Sequence, residues 1–560
     1  MNYRKIRIIK CLTGIGALIL LFVAAWNFDD EKSIEFSKES GFYEDDFYLE
    51  INGSGGTIYY TLDSSDPDEN SLVYTGPILI SDASLNDNVY SKITDVSLYL
   101  DEKLKEMGLI EENEYSVPTA SVDKANVIKA ICIDEKGNCS DIITGVYFVG
   151  FHEKDGYDNI NIISIVTDPV NLFDYETGIY VAGKTFDDFL GLQAYAQSEN
   201  WTTWATLARA NYRQRGDLWK RAADIAFWNS KQELILSGTY EISIQGSGSR
   251  GWLPRNLNIY ETDTYDQSEL DGVKLGFDYD VDSLNLFAGA QDSLVKMSDY
   301  LVNYLTSDLA FSSRSYIPYE LFLDGEYWGT YLLNEKYSKM YFEKKYGVYG
   351  NDVVMIKVGQ IELGNNSDRD LYTAMIEYIA DNDMADPDNY ENVLQMIDMD
   401  SYIDYYATEI YIANIDWPSA NVALWRTRTM SSDEYSDGRW RWILYDVNLS
   451  LSKTRVEWDG IAWAMYNDPA FASLLDNEEF ETALYERLVY LADNNFNPDR
   501  VNPLIDEYEA AMAEPMQNEY ERFFEGNKSI DQFYRGCEEV REFFALRYEY
   551  IKDTYGRTGQ

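Results

Sequence analysis

The segment Asp416-Trp417-Pro418-Ser419-Ala420-Asn421 holds an acid and an amide five residues apart, and Asp446 follows on a run that alternates like a strand. Moving a phosphoryl group asks little covalent work of a protein. It needs one carboxylate to orient the attacking hydroxyl and take its proton, an amide and a second carboxylate to hold Mg²⁺, and cations for the phosphates. The D-x-x-x-x-N spacing fits Asp416 as the catalytic carboxylate and Asn421 as a metal ligand, with Asp446 as the second ligand. A chain rich in Asp and Asn also produces such spacings by chance. Asp416 and Asn421 equally suit a turn that stops a helix, and Asp446 a carboxylate that caps a loop. Upstream, Gly246, Gly248 and Gly251 surround Ser247 and Ser249, with Arg250 and Arg255 close by. Loop amides and guanidinium groups can clamp phosphates, and the same composition also makes an ordinary hairpin loop.

The elements that must position these residues are legible in the periodicity. Tyr402, Tyr405, Tyr406, Ile410 and Ala413 share one helical face over 401–413, and the helix must end before Pro418. The run "GRWRWILYDVN" predicts a strand that delivers Asp446 near its end. Between "PYELFL" and "EYWGTYLL", Asp324-Gly325 predicts a hairpin over 319–333, with Glu335 just past a strand end. Asn161–Val166 and Gly178–Val181 open a mixed α+β domain, and apolar spacing over 530–551 closes it with a helical lobe. Before them, 33–150 reads as short strands, a small β-sandwich in which Cys132 and Cys139 flank a turn and could face each other as a disulfide. The layout is multidomain: a small all-β sandwich, then a large α+β domain with a helical C-terminal lobe.

Composition bounds the function. The 560 residues exceed one ordinary core. Forty-six basic against 97 acidic residues leave a net charge of −51, which repels nucleic acid and either serves solubility or attracts a basic protein. A single histidine, His152, leaves Ser-His-Asp, Cys-His and multi-His metal chemistry without parts. Arg4, Lys5, Arg7 and Lys10 precede an apolar run from Cys11 to Trp26, so residues 1–28 are expected to be a signal peptide or a signal-anchor, and the protein extracytoplasmic, secreted or membrane-anchored.

Taken in order, "GSGSRGWLPRNLNIY", "YELFLDGEYWGTYLLNEKY", "VVMIK", "NIDWPSANVALWR" and "RWRWILYDVN" resemble the CotH (spore coat protein H) family over about 160–555. The resemblance implies a divergent protein-kinase-like fold that uses Mg-ATP to phosphorylate Ser or Thr of a protein. It gives Asp416 the catalytic role and Asn421 with Asp446 the metal. Arg250 and Arg255 would hold phosphates, and Glu335 could pair with Arg255 as kinases pair Lys with Glu. The chain departs from the family where a lysine is usual and Arg255 stands, where D-x-D is usual and Asp446-Val447-Asn448 stands, and where "RD" is usual and Ser298-Asp299 stands. The segment 33–150 resembles the chitobiase/β-hexosaminidase C-terminal-type module, an accessory domain that could contact wall glycan. The expected activity is an extracytoplasmic kinase acting on a basic, Ser-rich protein. The alternative is an inactive surface scaffold or adhesin, and a glycoside hydrolase ranks third.

Overall fold

The computed structural model describes residues 33–110, 115–191, 208–264 and 269–556. The N-terminal apolar run lies outside the described residues. Among those described, no helix is long and apolar enough to cross a membrane.

In the first region β1 (Ile34–Phe36) pairs with β4 (Ile51–Gly53), and β3 (Phe47–Leu49) with β7 (Ile78–Ile80). A larger sheet runs β2-β9-β8-β5-β6, made of β2 (Gly41–Tyr43), β5 (Thr57–Thr61), β6 (Leu72–Val73), β8 (Asn126–Ile133) and β9 (Ile143–Val149). The two ribbons cover one face through Leu49, Ile51 and Ile80, which pack with Ile128, Ala130 and Tyr147. The other face, Val127, Val146 and Phe148, packs on Ile162, Trp228 and Phe322 of the second domain. Burial on both faces explains why β8 reads as a near-continuous apolar run instead of an alternating one. Cys139 bridges Ile133 rather than Cys132, and an offset of one residue sends neighbouring side chains to opposite faces. Cys132 is buried in the sandwich, Cys139 is exposed, and both remain thiols.

Between β7 and β8 the chain makes an excursion over the second domain. Tyr90, Val96, Leu98, Tyr99, Leu100, Leu104 and Ile110 all join the main core. Polar fastenings hold it there: the Glu326 carboxylate accepts from the N–H groups of Val89 (2.5 Å) and Ser91 (2.7 Å), and the Arg255 guanidinium donates to the Val96 carbonyl.

The second domain opens with a closed barrel in the order β10-β11-β12-β13-β14-β16-β15: β10 (Asn161–Val166), β11 (Arg221–Trp228), β12 (Leu234–Ile244), β13 (Leu257–Tyr260), β14 (Ser283–Phe287), β15 (Tyr316–Leu323) and β16 (Glu326–Glu335). Parallel pairing of β10 with β15 closes it and removes the free edge. The β15–β16 turn is Asp324-Gly325, both at positive φ (49° and 85°), the geometry whose twist matches the flanking strands. Gly178–Val181 is not a strand; its amides bond back to a short helix, Ile179 N–H to the Asn171 carbonyl and Tyr180 N–H to that of Leu172.

A second sheet, β18-β17-β19-β20, contains β17 (Val353–Lys357), β18 (Gln360–Leu363), β19 (Ala423–Thr427) and β20 (Arg441–Ile443). The strand expected over 438–448 is shorter than its pattern, because beyond Ile443 the pairing passes to Ser312. The helix expected over 401–413 spans Met399–Tyr411. The last helix, Ile530–Tyr555, starts on a capping box of Ser529 and Gln532. With Glu478–Asp493 and Pro498–Phe523 it forms the helical end of the molecule, and one core runs from the barrel interior into these helices.

Candidate functional site

A cleft of about 1020 Å³ lies between the barrel and the second sheet. Asp416, Asn421 and Asp446 all line it, so two distant segments of chain converge there. The convergence has local causes. The helix Met399–Tyr411 must satisfy its last carbonyls, and the buried Arg547 of the final helix does so, donating to Ile410 (2.7 Å) and Tyr411 (2.9 Å). Asn414 then ties the two segments together. Its side-chain oxygen accepts from the Asp416 N–H (3.1 Å), and its NH₂ donates to the Glu409 carboxylate (2.9 Å) and to the Asp446 carbonyl (3.3 Å). Asn421, at φ 58°, sits in the left-handed region and turns its amide onto the Asp416 carboxylate at 2.9 Å.

Burial raises the pKa of Asp416, opposed by the Asn421 hydrogen bond and the Lys357 charge. Burial raises that of Asp446 as well, opposed by the Asn448 N–H, Lys357 and Arg314. A third carboxylate, Asp299, is named in the sequence only as the acid of Ser298-Asp299 and has no site role there. It lies buried at the cleft wall, accepts from the Val447 N–H (3.3 Å) and the Tyr316 hydroxyl (3.3 Å), and has its Oδ2 without a hydrogen bond. Burial, then the Asp446 charge, holds it well above the usual carboxylate range, while Arg314 opposes. Two neighbouring carboxylates that resist ionisation together are stabilised by a cation.

Among the described residues no three His, Cys, Asp or Glu side chains cluster as a protein-only metal cage. Mg²⁺ does not require one, since it binds through one or two carboxylates plus substrate phosphates and water. The unpartnered Asp299 Oδ2 beside Asp446, with the Asn421 amide oxygen, fits that donor set. Asn448 is not part of it; its amide donates to Gln291 at 3.1 Å and it does not face the cleft.

Cations outnumber acids at the lining: Arg215, Lys220, Arg250, Arg314, Lys336 and Lys357 against Asp299, Glu362, Asp416 and Asp446. In a chain of net charge −51 that local reversal marks a place for an anion. Lys357 ends β17, stands over the Tyr445 ring at 3.4 Å, and makes no ion pair among the described residues. The strand "VVMIK" ending in a lysine carried a signal for it that the assignment passed over. Arg314 is stacked by Tyr337 (4.8 Å) and Tyr445 (5.4 Å) and bonds Asn334 and the Tyr316 hydroxyl. No spacing in the sequence points to it.

Of the three residues assigned to phosphate and cofactor, Arg250 alone reaches the cleft. It also braces the Gly/Ser loop, donating to the Gly246 (2.8 Å), Gln214 (2.9 Å) and Tyr212 (3.2 Å) carbonyls, and burial lowers its pKa to about 10. Arg213 and Arg215 bind the carbonyls of Ser247, Gly248 and Gly246, which fixes the loop at the cleft wall. Arg255 is fully buried between the rings of Tyr180 and Tyr212, donates to Val96 and Arg250 carbonyls, and does not line the cleft. Glu335 lies outside it too: it accepts from the Ser315 N–H and the Tyr279 hydroxyl, and it does not pair with Arg255.

The barrel contributes a polar floor. Ser243, Asn258, Asn285 and Asn334 stand directly opposite one another on β12, β13, β14 and β16, and all four line the cleft.

A family model described as CotH kinase protein matches residues 242–551, and one described as Fn3 associated matches residues 49–147. The latter covers the β-rich region read from sequence as a chitobiase-type module. No curated protein matches the chain.

Proposed function

The chain belongs to the CotH kinase protein family, and from that premise we propose that it transfers the γ-phosphoryl group of ATP to a Ser or Thr hydroxyl of a protein. The observation that carries the reading is the meeting of Asp416, Asn421 and Asp446 in one cleft whose lining is locally cationic.

In this reading Asp416 accepts a hydrogen bond from the acceptor hydroxyl and takes its proton as the bond to phosphorus forms. Its raised pKa makes it a better base than an exposed Asp. Asn421 keeps the Asp416 carboxylate oriented through the 2.9 Å bond. Asp446, Asp299 and the Asn421 oxygen are the residues that would hold Mg²⁺, which supplies charge neutralisation at the transferred phosphate. Lys357 and Arg314 bring positive charge to the phosphates, and the Gly246–Gly251 loop offers amides. The acidic surface suits a basic acceptor segment. The basic n-region and apolar run at the N-terminus support a secreted or membrane-anchored protein at the cell surface.

Transfer of radiolabelled phosphate from ATP to a Lys/Ser-rich peptide tests the proposal. Wild type is expected to label the peptide and Asp416→Ala to lose the labelling while keeping the rise in Tm given by Mg-ATP. Equal labelling by both proteins removes Asp416 from its role. A wild type with neither labelling nor a Tm shift leaves the chain an inactive scaffold.

A further inference from the structure

The row of side chains on the barrel floor is not satisfied within the protein. Asn258 donates its amide NH₂ to the Ser243 hydroxyl (3.1 Å), and Asn285 donates to the Asn334 side-chain oxygen (3.2 Å). Arg314 also donates to that Asn334 oxygen at 3.2 Å. The two central asparagines donate outward, Asn258 toward β12 and Asn285 toward β16, so their side-chain oxygens are left with no hydrogen bond, although each residue is only 6% exposed. Buried amide oxygens without a donor are costly, and two on adjacent strands, directly opposite in register, are not a packing accident that an apolar pair would fail to relieve. Both residues face the cleft.

What those oxygens lack is a hydrogen-bond donor. The ionised triphosphate of Mg-ATP has none to offer, so the phosphates belong past the Asn334 end of the row, near Arg314 and Lys357. A metal ion is disfavoured because the row holds only neutral Ser and Asn side chains and no carboxylate. Aromatic rings line the same cleft, Trp252 and Phe287, while the Tyr260 ring is taken by Lys220 (4.8 Å) and Lys336 (4.5 Å). Acceptors on a floor between aromatic faces match a nucleoside, whose base stacks and whose amino group or ribose hydroxyls donate. The geometry points to Asn258 and Asn285 as the nucleoside-recognition row, residues that select the donor groups of the ATP proposed above. This rests on that proposal for the identity of the nucleotide and goes beyond it by naming the surface that reads the nucleoside.

Asn285→Leu separates recognition from architecture. It removes one orphaned oxygen, and the Asn334 oxygen keeps its bond from Arg314, so the folded protein is expected to melt at the wild-type temperature or above it. Binding of Mg-ATP and of adenosine alone, followed by calorimetry on the full chain, is expected to weaken about tenfold, the scale of one hydrogen bond to a buried acceptor. Asn258→Leu is the second variant and is expected to act alike. Two arms locate the donor on wild type. Inosine, which lacks the 6-amino group, binds weakly if the base is read; 2′-deoxyadenosine binds weakly if the ribose is read. Each result supports the row, and the loss is expected to vanish in the matching variant. Wild-type affinity for adenosine in both variants, or wild-type binding indifferent to both nucleoside changes, overturns the inference. The outcome is independent of phosphate transfer: row-dependent adenosine binding by a protein that labels no peptide would sink the kinase reading and keep this one.

Discussion

Glu409 gives a prediction that can be worked through. It is fully buried in the last turn of the helix Met399–Tyr411, where its carboxylate accepts from Asn414. Burial, with the charges of Asp446 and Asp416 behind it, pushes its pKa from 4.5 up to about 8, against the hydrogen bond from Asn414. At pH 7 the folded protein therefore keeps a proton that the unfolded chain has released. The contribution to stability is most favourable below pH 4.5, declines as pH rises toward about 8, and is level above that. One pKa unit is worth about 1.4 kcal/mol, so the decline between pH 5 and 8 amounts to about 3 kcal/mol. Glu409→Gln keeps the neutral shape at every pH, with its oxygen available to Asn414. Urea unfolding of both proteins from pH 5 to 9 reads the residue together with its coupling to Asp416 and Asp446, because the groups remote from it are common to both and cancel in the difference. The variant is expected to gain about 3 kcal/mol on wild type between pH 5 and 8 and no more beyond. A difference that stays constant over that range would refute the reasoning.

Three further outcomes follow from other places in the molecule. Lys357→Met removes the unpaired cation nearest Asp416 and Asp446; it is expected to raise the Kd for Mg-ATP at least tenfold in a thermal-shift titration, with the Tm of the free protein little changed. The Lys296–Glu519 pair is fully buried at 2.5 Å, so Lys296→Met is expected to cost about 3–5 kcal/mol in urea unfolding, and adding Glu519→Leu to recover most of it. Val358, 47% exposed at φ 47° in the two-residue β17–β18 turn, holds a β-branched side chain in the left-handed region, and Val358→Asn is expected to stabilise by about 1 kcal/mol, read as a rise in Tm.

Local chemistry was readable from the sequence, and spatial chemistry was not. Asp324-Gly325 declares its hairpin because the turn type demands positive φ at both residues, and Tyr402, Tyr405 and Tyr406 declare their helix through spacing alone. Asp416 and Asn421 were found because their relation is a fixed distance along one loop. Asp299 has no partner at a fixed spacing, and the sequence marked it only as the acid of Ser298-Asp299, without a role. It becomes a site residue only when the helix Ser298–Leu305 packs beside Val447, 148 positions later. Arg255 was assigned to phosphate by its nearness to the glycines. What decides its place is the pair of rings from Tyr180 and Tyr212 and the carbonyl of Val96, each supplied by a different stretch of chain. The two cysteines were correctly placed around a turn, yet a register of one residue, invisible in composition, parts their sulfurs.

The extent of the family match and the extent of the folding unit differ. Residue 242 falls within the last three residues of β12, so a clone trimmed to 242–551 would discard β10 and β11, the strands through which the barrel closes. It would also discard Arg213 and Arg215, taking away the donors to the Ser247 and Gly248 carbonyls, and strip the cover from Phe322. Such a fragment should come out of expression insoluble, whereas one begun at 33 carries hoop and cleft together; anything that grips the amino-terminal sandwich from outside is thereby holding the back of the barrel that walls the cleft.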